Sequence, residues 1–146
     1  MIDLFIDTRE QKELEFKADY INSVSKATMK YGDYGARIDG IKVPVVFERK
    51  SINDLFGTLG KGHARFKKEI NRSIEDNCRL IIIIEKPLTT VVKGIKRSKM
   101  KGIAVARTLF TYMIKHGIPF VCCKNREEMS LYISEFYRSW EANIGK

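Results

Sequence analysis

Five consecutive aliphatic residues, Leu80 to Ile84, are the feature that most limits how this chain can fold. A strand with one face in water alternates apolar and polar residues, so this unbroken run indicates a strand buried on both faces. Such strands are typical of parallel sheets covered by helices on both sides. The run is also far too short to cross a bilayer. We therefore expect a three-layer α/β domain that is not inserted in a membrane.

The rest of the sequence alternates predicted strands with predicted helices. We expect further strands at residues 2–7, 24–29, 36–38, 41–47 and 118–123. We expect helices at residues 52–59, 64–76, 103–115 and 126–142. Residues 12–23 fit either a short helix or an irregular connector. Because 146 residues suffice for one core and are too few for two, we expect a single domain over residues 1–146.

The chain is strongly basic, with 27 Lys and Arg against 18 Asp and Glu and a formal net charge of +9. That excess fits a polyanionic partner such as nucleic acid, or a soluble protein that is simply basic. Its three cysteines, Cys78, Cys122 and Cys123, lack metal-ligand spacing and fit reduced thiols. The acidic amino terminus does not resemble a signal peptide, so we expect an intracellular, soluble protein.

The dipeptide Asp39-Gly40 predicts a type I′ turn between two strands. A regular hairpin around this turn pairs Ile38 with Ile41 and, further from the turn, Asp33 with Val46. A bulge at a nearby glycine would shift this pairing by one residue. The hairpin therefore brings the segment around Asp33 beside the end of the second strand.

Side chains two residues apart on a strand share a face, as do cross-strand partners. Asp33, Glu48 and Lys50 should therefore project from one side of the hairpin, and Arg49 from the other. Asp33 and Glu48 would be diagonal neighbours about 7 Å apart at the backbone. Carboxylate oxygens suit Mg²⁺ or Mn²⁺, and a lysine can stabilise developing negative charge. The cluster predicts metal-assisted phosphodiester hydrolysis, with a structural salt-bridge cluster as the alternative.

Gly32-Asp33 is followed by Glu48-Arg49-Lys50 and, after three residues, by Asp54, with Asp7 to Glu10 upstream. This pattern resembles the nuclease domain of the XPF family of structure-specific endonucleases, which cut flaps, forks and junctions in DNA repair. The resemblance implies a restriction-endonuclease-like fold, with a central mixed β-sheet flanked by α-helices. Compact stand-alone domains from phage and other mobile elements are the most similar, which would place the protein in the cytoplasm of a bacterial host. We expect a compact domain without the family's tandem helix-hairpin-helix module.

The resemblance also implies a role for each polar residue of the pattern. The implied ligands of Mg²⁺ or Mn²⁺ are Asp33, Glu48 and, as a third, Glu10. Lys50 would be the catalytic lysine, supported by Asp7, Arg49 and Asp54. Arg9 and Arg65 would contact DNA. Cleavage in this family leaves a 5′-phosphate and a 3′-hydroxyl.

Residues 91–102 contain basic side chains and no acidic ones. They predict a flexible loop that grips phosphates, or alternatively a lysine-rich loop that is merely solvated. The basic residues are Lys93, Lys96, Arg97, Lys99 and Lys101.

The final predicted helix has a wide apolar face rich in aromatic residues. Packing against the sheet explains such a face, and so does homodimerisation through the C-terminal helices, which the family uses. The residues of this face are Met129, Tyr132, Ile133, Phe136, Tyr137 and Trp140.

The leading hypothesis is a Mg²⁺-dependent DNA endonuclease acting on flaps, forks or junctions in repair or recombination. One alternative is a catalytically silent DNA-binding partner of the same fold. Another is a Holliday-junction resolvase or an exonuclease of the same superfamily. We expect His63 to be a capping or surface residue rather than a general base.

Overall fold

The computed structural model describes residues 1–144, which form one mixed sheet with helices on both faces. The strands are β1 (Ile2–Asp7), β2 (Ile21–Ala27), β3 (Tyr34–Ile38), β4 (Ile41–Lys42), β5 (Val45–Lys50), β6 (Arg79–Ile84) and β7 (Phe120–Cys122). The helices are α1 (Ile52–Leu59), α2 (His63–Glu75), α3 (Leu88–Lys93), α4 (Gly102–His116) and α5 (Arg126–Asn143).

The strand order across the sheet is β2-β1-β3-β5-β6-β7, with β4 paired to β3. The pairs β1/β2, β5/β6 and β6/β7 are parallel. The strand β3 is antiparallel to both of its neighbours, β1 and β5. The sheet is therefore mixed, and the carboxyl ends of β1 and β5 meet at the same edge because β3 runs between them in the opposite direction.

The aliphatic run forms β6, which is buried on both faces between β5 and β7, as predicted. Its side chains alternate between two cores. Leu80, Ile82 and Ile84 pack with residues of α1, α2 and α4, whereas Ile81 and Ile83 pack with α5. This division defines two sides of the molecule, called here the α1–α4 side and the α5 side.

The apolar face of α5 packs mainly in the core. Met129, Ile133 and Tyr137 have no exposed surface, and the Tyr137 hydroxyl donates to the Val45 carbonyl at 2.6 Å. Phe136 and Trp140 are partly buried, and Tyr132 is 36% exposed. Core packing is therefore confirmed for the three fully buried residues of this face.

The hairpin turn is the one predicted. Asp39 and Gly40 have positive φ angles of 51° and 80°, as a type I′ turn requires, and Ile38 pairs with Ile41. Further along, Tyr34 lies opposite Phe47, whereas the predicted pairing places it opposite residue 45. The pairing thus shifts by two residues between the turn and the end of the hairpin.

The shift lies between Val43, whose N–H still donates to the Ala36 carbonyl, and Phe47, and Pro44 falls within this interval. Proline has no N–H to donate, so it cannot take part in a regular ladder of hydrogen bonds. The prediction that Asp33 lies opposite Val46 is therefore wrong by two residues. An even shift does not change the face on which a side chain lies, so the predicted grouping of Asp33, Glu48 and Lys50 is unaffected.

The second strand and the segment before α4 differ from the prediction. The second strand begins at Ile21 rather than at residue 24. Residues 8–20 form an irregular connector, which is one of the two predicted alternatives. Residues 88–93 form the short helix α3, so Lys93 ends a helix and is not part of a loop. No helix within residues 1–144 is long and apolar enough to cross a membrane.

Candidate active site

Three backbone and side-chain hydrogen bonds fix Asp33 between β1 and β5. Its N–H donates to the Phe47 carbonyl at 2.7 Å, and its own carbonyl accepts the Asp7 N–H at 2.8 Å. Its Oδ2 accepts the backbone N–H of Arg49 at 2.8 Å. The Asp33 carboxylate is therefore held against the carboxyl end of β5.

Glu48 and Lys50 leave β5 on the α1–α4 side, as the alternation predicts. Glu48 is only 6% exposed, and its Oε2 has no hydrogen-bond partner among the described residues. Its carboxyl group lies close enough to that of Asp33 for each group to change the pKa of the other. The Lys50 Nζ lies 5.6 Å from the centroid of the Phe66 ring on α2. The two carboxyl groups and the lysine are thus brought to one place.

The closeness of these groups changes their titration. Burial raises the pKa of Asp33 to about 6, and the charge of Glu10 adds to the effect, opposed by the hydrogen bond from Arg49. Burial also raises the pKa of Glu48 well above its usual range, and the negative charge of Asp33 raises it further. Two buried carboxylates without a cation are costly, so the pair favours either a shared proton or a bound cation.

Arg49 points to the other side of the sheet, as predicted, and binds two acidic residues. Its Nε and Nη2 donate to the two carboxylate oxygens of Glu10 at 2.8 and 2.7 Å, and its Nη1 lies 3.3 Å from Glu85. The hydrogen bonds to Glu10 raise the pKa of Arg49 above its ordinary value. Both oxygens of Glu10 are engaged by Arg49, and its role as a third metal ligand stays a prediction.

Asp7 supports the segment that precedes Asp33. It is 2% exposed, and its two carboxylate oxygens accept the Met29 N–H at 3.0 Å and the Arg9 Nε at 2.9 Å. Arg9 also donates to the Met29 carbonyl at 2.8 Å, although 70% of its side chain is exposed. Arg9 is therefore held at the surface beside the site, in a position to contact a substrate.

A groove of about 430 Å³ runs between α1 and α2 and opens beside Lys50. Asp54 and Arg65 line this groove, which we call the helix groove. Asp54 is exposed in the first turn of α1, which Ser51 caps because its Oγ accepts the Asp54 N–H at 3.2 Å. The other lining residues are Lys50, Asn53, Gly57, Thr58, Lys61, Gly62, Phe66 and Glu69.

The five basic residues predicted to grip phosphates all lie exposed at the end of α3 and in the loop before α4. In the same loop, Ile95 and Met100 pack against the core. The Met100 sulfur lies beside Gly60, which follows α1. The basic side chains of this loop are thus anchored near the turn between α1 and α2 that borders the helix groove.

His63 is the first residue of α2, and its Nδ1 shares a hydrogen bond of 2.8 Å with the Tyr112 hydroxyl. It is thus held against α4, which agrees with a structural residue rather than a general base.

Two acidic residues at the site were not singled out from the sequence. Glu85 follows β6 and approaches Arg49, and Glu69 on α2 accepts the Gly32 N–H at 2.9 Å. The negative charge of Glu69 raises the pKa values of Asp33 and Glu48. The available signal for Glu69 was its place one helical turn after Arg65, which puts both on one side of the helix.

Asp33 and Glu48 fit a divalent cation. The Glu48 oxygen without a partner is a free acceptor in a buried site, and Mg²⁺ commonly takes one or two protein carboxylates, with water and phosphate as its other ligands. Within residues 1–144, no group of three or more His, Cys, Asp or Glu side chains is arranged as a complete metal site.

These features define a class of protein. Its mixed sheet brings two carboxylates and a lysine together where the strands end, beside the helix groove. The sequence model of the ERCC4 domain matches residues 6–136, and the chain belongs to the ERCC4 domain family. A search of curated protein sequences finds no match.

Two solved structures are similar to this chain. XPF from Aeropyrum pernix superposes with a TM-score of 0.69 at 18% identity, over 93% of this chain and 65% of that one. The same protein in complex with DNA gives a TM-score of 0.69 at 17% identity, over 100% of this chain and 68% of that one. The chain thus spans about two thirds of the length of these structures. The restriction-endonuclease-like fold expected from the sequence is confirmed.

Proposed function

We propose that the protein is a metal-dependent DNA endonuclease that hydrolyses phosphodiester bonds, with Mg²⁺ or Mn²⁺ as cofactor. The observation that carries this proposal is the buried pair of Asp33 and Glu48, in which one oxygen of Glu48 lacks a partner beside Lys50. A cation bound there would supply Lewis-acid chemistry, by polarising the scissile phosphate and making water a better nucleophile.

Each residue of the site has a role that its chemistry suits. Asp33 and Glu48 hold the cation. The Lys50 ammonium orients the attacking water or stabilises the negative charge that develops on the phosphate. Arg49 positions β5 from the α5 side through its bonds to Glu10 and Glu85.

The DNA backbone is proposed to lie along the helix groove. Lys61 and Arg65 line the groove, and neither is part of an ion pair within residues 1–144. The exposed basic residues between α3 and α4 belong to the loop whose Met100 lies beside Gly60, in the turn between α1 and α2. Such contacts give affinity that depends on salt and little on base sequence.

Branched DNA is the substrate class we propose, as the resemblance to XPF-family nucleases implies. The similar Aeropyrum pernix XPF has been solved in complex with DNA, which supports a DNA substrate for the shared fold. The structure-specific step in this proposal is recognition of a flap, fork or junction.

A homodimer through the C-terminal helices is also proposed. β7 is an edge strand, and α4 carries exposed apolar side chains beside it. The Phe110 ring packs against Phe120 of β7, and Phe110 and Ile114 are 42% and 82% exposed. Exposed apolar surface beside a free strand edge is typical of an interface.

The proposal is tested by incubating the purified protein with labelled flap, fork, four-way junction, blunt duplex and single-stranded DNA. We expect cleavage of the branched substrates with Mg²⁺ or Mn²⁺, none in EDTA, and none by Asp33→Asn or Lys50→Ala. Glu75→Gln, an exposed change on α2, is the control. Binding without cleavage in either metal would refute the proposal, and preferential cleavage of four-way junctions or duplex ends would favour a resolvase or an exonuclease.

A further inference from the structure

Glu69 on α2 is bonded to the backbone of the segment that carries Asp33. Its Oε1 accepts the Gly32 N–H at 2.9 Å. Asp76, the residue that follows the end of α2, accepts a hydrogen bond from the Tyr31 hydroxyl at 3.0 Å. The helix α2 and its C-cap residue therefore hold the residues immediately before Asp33 at two points.

Gly32 needs this support because its backbone is unusual. It has a φ of +78°, in the left-handed region that residues with a Cβ rarely adopt, and a Cβ at this position would lie 2.8 Å from Val46 Cγ2. This conformation directs the chain into β3 with the Asp33 carboxylate turned toward β5. The Gly32 N–H is not used by the sheet, since its acceptor is the side chain of Glu69.

Glu69 also lies close enough to Arg9 for its negative charge to raise the pKa of that guanidinium, although the two form no ion pair within residues 1–144. Glu69 is half-buried. It lines the helix groove with Lys50 and adds to the negative potential at Asp33 and Glu48. One of its two carboxylate oxygens accepts the Gly32 N–H.

We propose that Glu69 is a positioning residue that holds the Gly32-Asp33 turn through its hydrogen bond to the Gly32 N–H and so orients Asp33 for cation binding. The part of this inference that concerns cation binding rests on the proposed function. The hydrogen bond between Glu69 and the Gly32 N–H is tested without a cation. Residues that orient metal ligands commonly change metal affinity by about 10- to 100-fold when removed.

The experiment compares Glu69→Gln, which keeps an oxygen acceptor without the charge, with Glu69→Ala, which removes both. Glu75→Ala, an exposed change on the same helix, is the matched control. Hydrogen exchange of the Gly32 and Asp33 amides is measured by NMR in EDTA without DNA, and Mn²⁺ affinity is measured by calorimetry.

We expect Glu69→Ala to speed exchange at Gly32 by about tenfold or more and to weaken Mn²⁺ binding by about tenfold or more relative to Glu75→Ala. Glu69→Gln should retain the protection of Gly32 and lose less affinity than Glu69→Ala. Unchanged exchange at Gly32 in Glu69→Ala would overturn the proposal. Equal Mn²⁺ affinities of the two Glu69 variants, with Gly32 protected only in Glu69→Gln, would also overturn it, because the charge alone would then matter. If the wild type binds no Mn²⁺, the proposed function fails, while the exchange data still decide whether Glu69 holds the turn.

Discussion

The backbone N–H of Arg49 donates to Oδ2 of Asp33 at 2.8 Å, so the strand that carries Glu48 and Lys50 itself holds the second carboxylate of the site. One oxygen of Asp33 is therefore committed to the protein. Within residues 1–144, neither Asp33 nor Glu48 forms an ion pair. The first two predictions follow from this arrangement.

Asp33→Asn should stabilise the protein in EDTA at about pH 8 by about 1–3 kcal/mol. Asparagine keeps an oxygen that can accept the Arg49 N–H. It removes the charge of the Asp33 carboxyl group, whose pKa burial raises to about 6. Added Mn²⁺ should stabilise the wild type and leave Asp33→Asn unchanged. Urea unfolding with and without Mn²⁺ measures both effects, and equal stabilisation of the two proteins by Mn²⁺ would contradict the assignment of Asp33 as a ligand.

The metal-free protein should lose stability as the pH rises. Asp33 and Glu48 bind protons more tightly in the folded state, because their pKa values there are raised. Their protonation therefore stabilises the fold below the unfolded pKa of about 4, and this contribution is lost as the pH rises through about 6. Urea unfolding in EDTA across this range should show the decrease for the wild type. The double variant Asp33→Asn/Glu48→Gln should not show this decrease in stability. If its stability changed with pH as that of the wild type does, the titration of Asp33 and Glu48 would not be the cause of the decrease.

Tyr137→Phe should destabilise the protein by about 1–2 kcal/mol. The Tyr137 hydroxyl, fully buried, donates to the Val45 carbonyl at the start of β5, and its loss leaves that carbonyl without this partner. Tyr132→Phe on the same helix, at a 36% exposed position, should change stability little. Thermal unfolding of both variants gives the comparison, and equal effects would show that the hydrogen bond contributes nothing measurable.

The triple variant Lys96→Ala/Lys99→Ala/Lys101→Ala should weaken DNA binding. If each lysine contacts one phosphate, the slope of log affinity against log salt should decrease by about 2 to 3. The control Lys12→Ala/Lys17→Ala/Lys115→Ala removes the same charge from exposed positions elsewhere. Binding is measured by fluorescence anisotropy at several salt concentrations. A similar loss in both triple variants would mean that net charge, and not this loop, determines affinity.

Ile114→Glu should weaken the proposed dimer by at least about tenfold, because an unpaired charge would be buried in the interface. Ile114 is 82% exposed in the single chain, so folding should not suffer. Ile41→Glu, at a 67% exposed position in the hairpin turn, is the control. Sedimentation at several protein concentrations measures the dimer affinity of both variants and of the wild type. A wild type that is monomeric at every concentration would refute the dimer.

The local sequence pattern was sufficient to predict elements in which the order of apolar and polar residues indicates which side chains are buried. The aliphatic run identified β6, and the alternation along β5 identified the shared face of Glu48 and Lys50. The prediction starts strand β2 three residues too late, at residue 24. This strand is an exposed edge strand, and its polar residues show no alternation. The six-residue helix α3 is too short for a helical periodicity to be recognised.

The contact between Glu69 and Gly32 could not be predicted from the sequence, because it joins residues 37 positions apart on different elements. Its formation depends on how α2 crosses the sheet, which side-chain packing decides. The shift near Pro44 was missed for a similar reason. Turn chemistry specifies the pairing next to the turn, and a break within the strand changes the pairing beyond it.

The pairing shift near Pro44 has a consequence for changes in chain length. Unless a bulge absorbed the change, inserting or deleting one residue between Lys42 and Val45 would exchange the faces of β5. Arg49 would then face Asp33, and Glu48 and Lys50 would lie on the opposite side of the sheet. Engineered variants should therefore keep the site best when this segment is lengthened or shortened by two residues.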